Sequence, residues 1–181
     1  MHELTERELY NAIGYAKSPD ENTGRKIIDR FQLDQPALAG TIFGVFPMVI
    51  AEKDQDMAHL FMNLCFDVIC VFENAFGPLP SLADMDVDWV EKQALLLDTE
   101  LQAMMDDKPM EPKFRDKLQD RFYDRIIDET PQTGLIKFMN ATIDEFASES
   151  PSRVPAIIIT QTMIFVTIRL FCSVYSHAAQ K

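Results

Sequence analysis

Glu52, Asp56 and His59 stand at i, i+4 and i+7, a spacing that aims three ligating or proton-transferring side chains the same way on a helix. Asn63 and Asp67 continue the row. Helical bundles hold metals with such rows, using carboxylates and histidines that project inward from several helices. A di-iron site of that kind needs Glu-x-x-His on two helices. This chain has no Glu-x-x-His and one Asp-x-x-His, at Asp56–His59. The remaining histidines, His2 and His177, lie at the extreme ends. His-Glu-x-x-His and His-Asp, the usual zinc and metal-phosphohydrolase signatures, do not occur. The row therefore reads first as the wet edge of an otherwise buried helix. A metal or small-molecule site at Glu52, Asp56, His59, Asn63 and Asp67 is the alternative reading, and a subunit contact is the third.

Other chemistry finds less support. There is no Gly-x-Ser-x-Gly elbow and no glycine-rich phosphate loop among six glycines. Triads assemble from distant positions, so a missing motif does not exclude an enzyme. With one internal histidine, the reading is non-enzymatic and without a cofactor. Cys65, Cys70 and Cys172 are an odd number and form no Cys-x-x-Cys pair. Cys65 and Cys70 sit about 140° apart on a shared helix, so they do not converge on one metal. Thiols inside apolar runs read as small core residues in a reducing cytosol. The ten methionines and thirteen phenylalanines either fill gaps between helices or line an adaptable cavity for a small hydrophobic ligand. Phe43, Phe46, Met48, Met57, Phe61 and Met62 mark the place for such a cavity.

The element that carries the row is apolar around most of its circumference. At ~100° per residue, Glu52, Asp56, His59, Asn63, Asp67, Cys70 and Asn74 share a sector of roughly 80°. Phe61, Met62, Leu64, Cys65, Phe66, Val68, Ile69, Val71, Phe72 and Phe76 cover the rest. A helix this apolar needs neighbours on three sides. Gly77-Pro78-Leu79-Pro80 closes it.

The flanking segments also read as helices. Thr5 and Glu8 form a capping box with Leu4 and Leu9 as a hydrophobic staple, and Ser18-Pro19 ends that helix. Asp20 caps a second helix carrying Ile27, Ile28 and Phe31. Pro36 opens a third, from Ala37 to Ala51, which Pro47 should kink or split near Phe46. Gly40 and Gly44, four residues apart, suggest the close approach of another backbone. Asp86 or Asp88 caps a helix carrying Trp89, Leu97 and Met105. A solvated helix over 113–129 carries Lys117–Asp120, Arg121–Asp124 and Arg125–Asp128 as i, i+3 pairs. Leu135, Phe138, Met139, Thr142 and Phe146 mark a seventh helix. The last runs from about Arg153 to Tyr175, with Ser152 as cap and Pro155 in its first turn. No period-2 alternation or hairpin turn occurs over a useful length.

Net charge and the ends of the chain bound the partners. A formal charge of −12, from 29 acids and 17 bases, disfavours nucleic acid and anionic membrane surfaces, which need clustered Lys and Arg. It suits a basic protein partner, or solubility alone. The acidic N-terminal stretch MHELTERELY is no signal peptide. Val154 to Val174 is long enough to cross a bilayer, but Gln161, Arg169 and three threonines oppose an anchor. The preferred reading is a buried helix at a two-fold interface, where Gln161 and Arg169 find polar partners.

The sequence thus leads to one all-α domain, residues 1–181, of seven to eight helices around a buried central helix (about 54–76). The expected protein is non-enzymatic, soluble and cytoplasmic, and acts on a protein partner, itself or a basic one. Far-ultraviolet circular dichroism should show helix and no strand, and the full chain should stay out of detergent micelles. Substantial strand signal or micellar partition would contradict this.

Overall fold

A computed structural model describes residues 1–81 and 131–179. Among these residues every regular element is helical. Six helices follow in order: α1 (Glu6–Ala16), α2 (Glu21–Asp34), α3 (Pro36–Ala51), α4 (Gln55–Phe76), α5 (Thr133–Ser148) and α6 (Ile157–Ala178). A 3-10 turn, Pro151–Ala156, leads into α6. The all-α class holds, with six described helices against the seven or eight expected. The single central helix is not matched: α6 is buried at twelve positions and α4 at eleven, so the two share the interior. The expected helices starting at Asp86 or Asp88 and over 113–129, with their charge pairs, lie outside the described residues.

Local chemistry sets the boundaries. The Thr5 hydroxyl accepts from the Glu8 N–H at 3.4 Å while the Glu8 carboxylate accepts from the Thr5 N–H at 2.9 Å, closing the capping box. Asp20 accepts from Thr23 N at 2.8 Å at the start of α2. Asp54 does the same for α4, accepting from Met57 N at 2.9 Å. Gly77 ends α4 at φ +89°, a conformation that favours glycine. Its carbonyl accepts from the Tyr175 hydroxyl at 2.8 Å.

Two expectations change in detail. Pro47 does divide α3 near Phe46, through a π turn rather than an open break. The helix widens into a π turn, Thr41–Val45, and resumes as α-helix at Phe46. Proline has no N–H to give and its ring crowds the carbonyl one turn earlier, so loosening the preceding turn by one residue accommodates it. The sharp bend falls instead at Gln35, where α2 and α3 meet at 117°. Ser152 does not cap α6. Pro151 and Pro155 hold a 3-10 turn there, and the Ser152 hydroxyl donates to Asp54 at 3.3 Å.

The core is one cluster of buried side chains drawn from every described helix. Helix α4 packs against α1, α3, α5 and α6. A chain of rings links four of the helices. Phe31 meets Phe43 edge-on (6.0 Å) and stacks on Phe171 (5.8 Å), and Phe171 meets Phe72 (5.2 Å), which also touches Phe76 and Tyr175. Two buried glutamines staple distant backbone. Gln132 accepts from Leu4 N at 3.1 Å and donates to His2 O at 2.7 Å, and Gln35 donates to Pro80 O at 2.5 Å. Each buried amide is thereby satisfied rather than stranded.

Phe72 is completely buried, so Phe72→Ala should cost ~3–5 kcal/mol in a denaturant titration, a large share of ordinary domain stability. A loss below about 1 kcal/mol would mean that the ring cluster adds little.

Candidate functional site

Structure divides the acidic row. Glu52 is not on α4 at all: it follows the last residue of α3, its N–H bonded to Met48 O at 3.3 Å, and is exposed. Asp54, extended at φ −159°, restarts the helical phase after it. The i, i+4, i+7 relation from Glu52 therefore does not exist in space. Asp56, His59 and Asn63 share the exposed side of α4, whereas Asp67 and Cys70 are buried. The strip is wet at Asp56, His59 and Asn63, buried at Asp67 and Cys70, and exposed again at Asn74.

Each acid along α4 meets a partner from another element. Asp56 accepts from Arg153 Nη2 at 3.1 Å. The same guanidinium binds Glu149 at 3.1 Å and the Phe146 carbonyl at 2.9 Å, and lies 3.8 Å over the Phe146 ring. Asp67 pairs with Lys17, the residue that follows α1. Glu73, beside the row, pairs with Arg30 of α2 at 2.5 Å. His59 Nε2 stands 3.3 Å from the Gln55 amide on the exposed surface. These acids fasten the turn before α6, α1 and α2 onto α4. They do not converge, and no three His, Cys, Asp or Glu groups among the described residues could hold a metal together.

The thiols are poor nucleophiles. Burial pushes Cys65 well up, and pushes Cys70 and Cys172 up to about 12. At Cys172 burial is the one cause of the rise, while the Glu73 and Asp67 charges add to burial at Cys70. All three thiols stay protonated at neutral pH, whereas attack needs the thiolate. Of the residues weighed as the lining of a hydrophobic cavity, Phe46, Met57 and Phe61 are fully buried, with Phe46 and Phe61 in edge contact at 6.1 Å. Phe43 instead lines an open surface cavity of about 420 Å³ with Gln32, Pro36, Ala39, Gly40 and Gly44.

Comparison with known proteins finds no matching family, no matching curated protein and no matching solved structure. Among the described residues two helical segments, Gln55–Phe76 and Pro151–Ala178, are long and apolar enough to cross a membrane, and the bent pair α2–α3 passes the same test as a unit. The expectation from sequence covered the second segment only. Half of the first segment's most apolar window and 61% of the second's are buried against the rest of the chain. Gln161, one of the polar residues in the second, donates to Asp144 of α5 at 2.8 Å.

Asp67 yields a pH signature. Burial raises its pKa, and Lys17 opposes that only in part. A raised folded value means that Asp67 stabilises the fold most at acid pH, and that this contribution is lost as pH rises through the raised value. Glu8 and Asp20, held low by hydrogen bonds from Thr5 and Thr23, pull the other way. The difference between wild type and Asp67→Asn isolates the one group. Going from about pH 4 to about pH 7, urea titrations should show Asp67→Asn gaining stability relative to wild type. Lys17→Met should cost about 1–3 kcal/mol near neutral pH, because it leaves the buried carboxylate alone. Equal losses in both variants would refute this asymmetry.

Proposed function

We propose that this protein is a soluble, cytoplasmic helical domain, built around α4, that works by binding protein and carries no catalytic centre of its own. The observation that carries this reading is the surface of α3 and of the approach to α6. Met48 is 65% exposed, Val154 56% and Ile158 75%, although Phe46–Ala51 and α6 pack on each other. Large apolar side chains open to solvent on adjoining elements are what a docking surface requires. The acids along α4, the best candidates for a reactive site, are engaged in fastening helices. A strongly acidic chain also favours protein over nucleic acid as partner, either a second copy or a basic protein.

A metal or small-molecule site at Asp56, His59 and Asn63, with Glu52 and Asp67 nearby in sequence, is the rival reading. Membrane anchoring is the third, and rests on the two apolar helices. One preparation tests all three. The protein purified without detergent should carry less than about 0.1 equivalent of zinc, iron or manganese per chain, and His59→Gln should move stability by no more than ~0.5 kcal/mol. One equivalent of metal, lost in His59→Gln, would make the binding-site reading lead. Recovery of the chain only with detergent would make the membrane reading lead.

A further inference from the structure

Helix α3 runs sixteen residues, Pro36–Ala51, without a charged side chain, in a protein of net charge −12. Its inner side is core: Ile42, Phe46 and Ile50 are fully buried. Its outer side is open among the described residues. A side chain built at Gly40 or Gly44 would meet no described atom within 4 Å. Val45 is 43% exposed and Met48, one turn beyond Gly44, is 65% exposed. The cavity of about 420 Å³ lies over Gly40 and Gly44. The backbone whose approach the two glycines suggest is therefore not supplied by the described part of this chain.

We propose that the outer face of α3 is the contact of a two-fold homodimer, with the axis passing close to Gly44. This rests on the protein-binding reading above and names its partner as a second copy. Three observations select that occupant. Gly40, Gly44 and Met48 form one i, i+4, i+8 row, so an antiparallel second copy centred on Gly44 sets its Met48 over this chain's Gly40, and the reverse. A hole and a knob equidistant from the axis are the self-complementarity that a two-fold contact needs. The cavity over Gly40 leaves space for the incoming thioether, and methionine adapts to irregular holes. Charge decides the rest. A basic partner is drawn to the acidic faces and an anionic bilayer repels them, whereas two copies at −12 each can meet only where like charges are not opposed. Close helix approach over small residues also needs no charge to hold it.

Sedimentation of the full chain over about 1–100 µM tests the proposal. A monomer–dimer equilibrium is expected, with Met48→Glu and Gly40→Leu each weakening the dimer at least ~10-fold. Circular dichroism and the unfolding midpoint of the separated monomers should stay at wild-type values or rise, since among the described residues Gly40 has no neighbour within 4 Å of an added side chain and Met48 is 65% exposed. Under oxidation Gly44→Cys should form a disulfide-linked dimer across the axis. Gly14→Cys, exposed on α1, should not, and the three native thiols are buried. A monomer at every concentration overturns the proposal. So does a dimer that both α3 variants leave unchanged, although it would keep the protein-binding reading alive with its contact elsewhere. Met48-dependent binding to zwitterionic phosphatidylcholine vesicles, in place of a dimer, would overturn both.

Discussion

The apolar contact between α4 and α6 is the constraint on which the other described elements depend. Helices with this many Phe, Ile, Val and Cys side chains cannot face water along their length, and α4 supplies eleven buried positions and α6 twelve. The helices around α4 pack on this interior through their own apolar faces, and the acids of α4 add charged contacts at the edge of that packing. Helix α1 buries only Ala12 and Ala16 fully, yet it lies along α4 with its end fixed by Lys17 on Asp67. Helix α2 is held to the far end by Arg30 on Glu73, and the turn before α6 by Arg153 on Asp56. Small or partly exposed surfaces thus become fixed in orientation through a few charged contacts at the edge of a large apolar one. The exposed pairs add little energy individually. What they supply is geometry.

Much of this was legible in the sequence because it depended on local rules. The Thr5–Glu8 box, the Asp20 cap, Pro36 at the start of α3 and Gly77 at the end of α4 each follow from hydrogen bonds or φ angles reaching no farther than one turn. The all-α class follows from periodicity in the same way. The acidic row departs from its spacing in two places. Its geometry assumed one unbroken helix from Glu52, and the Asp54 cap breaks the phase two residues later. Its wetness assumed that polar residues mark solvent, whereas Asp67 marks the place where Lys17 arrives from fifty residues away. Sequence spacing carries no signal for that partner.

The long-range staples were equally silent. Nothing in the spelling of Gln35 or Gln132 says that the first will hold Pro80 or the second the backbone of His2 and Leu4. Glutamine in a polar stretch reads as surface, and only the fold turns it into a buried amide with remote obligations. The candidate site suffered from the same limit. Residue types capable of chemistry stand along α4, but whether such groups converge on each other or on partners from other helices is a tertiary fact.

The π turn in α3 ties the length of the chain to its composition. A π turn holds one residue more than the α-helix it interrupts, with the helical faces on either side kept in phase. Losing one residue between Thr41 and Val45 would leave Ile42-side and Phe46-side packing aligned, but would return an ordinary turn beneath Pro47, whose ring would then press on a carbonyl. Such a deletion is tolerable only in step with the loss of the proline. Descendants of this sequence should therefore vary in these two features together: a long α3 with proline at that place, or a helix shorter by one residue without it.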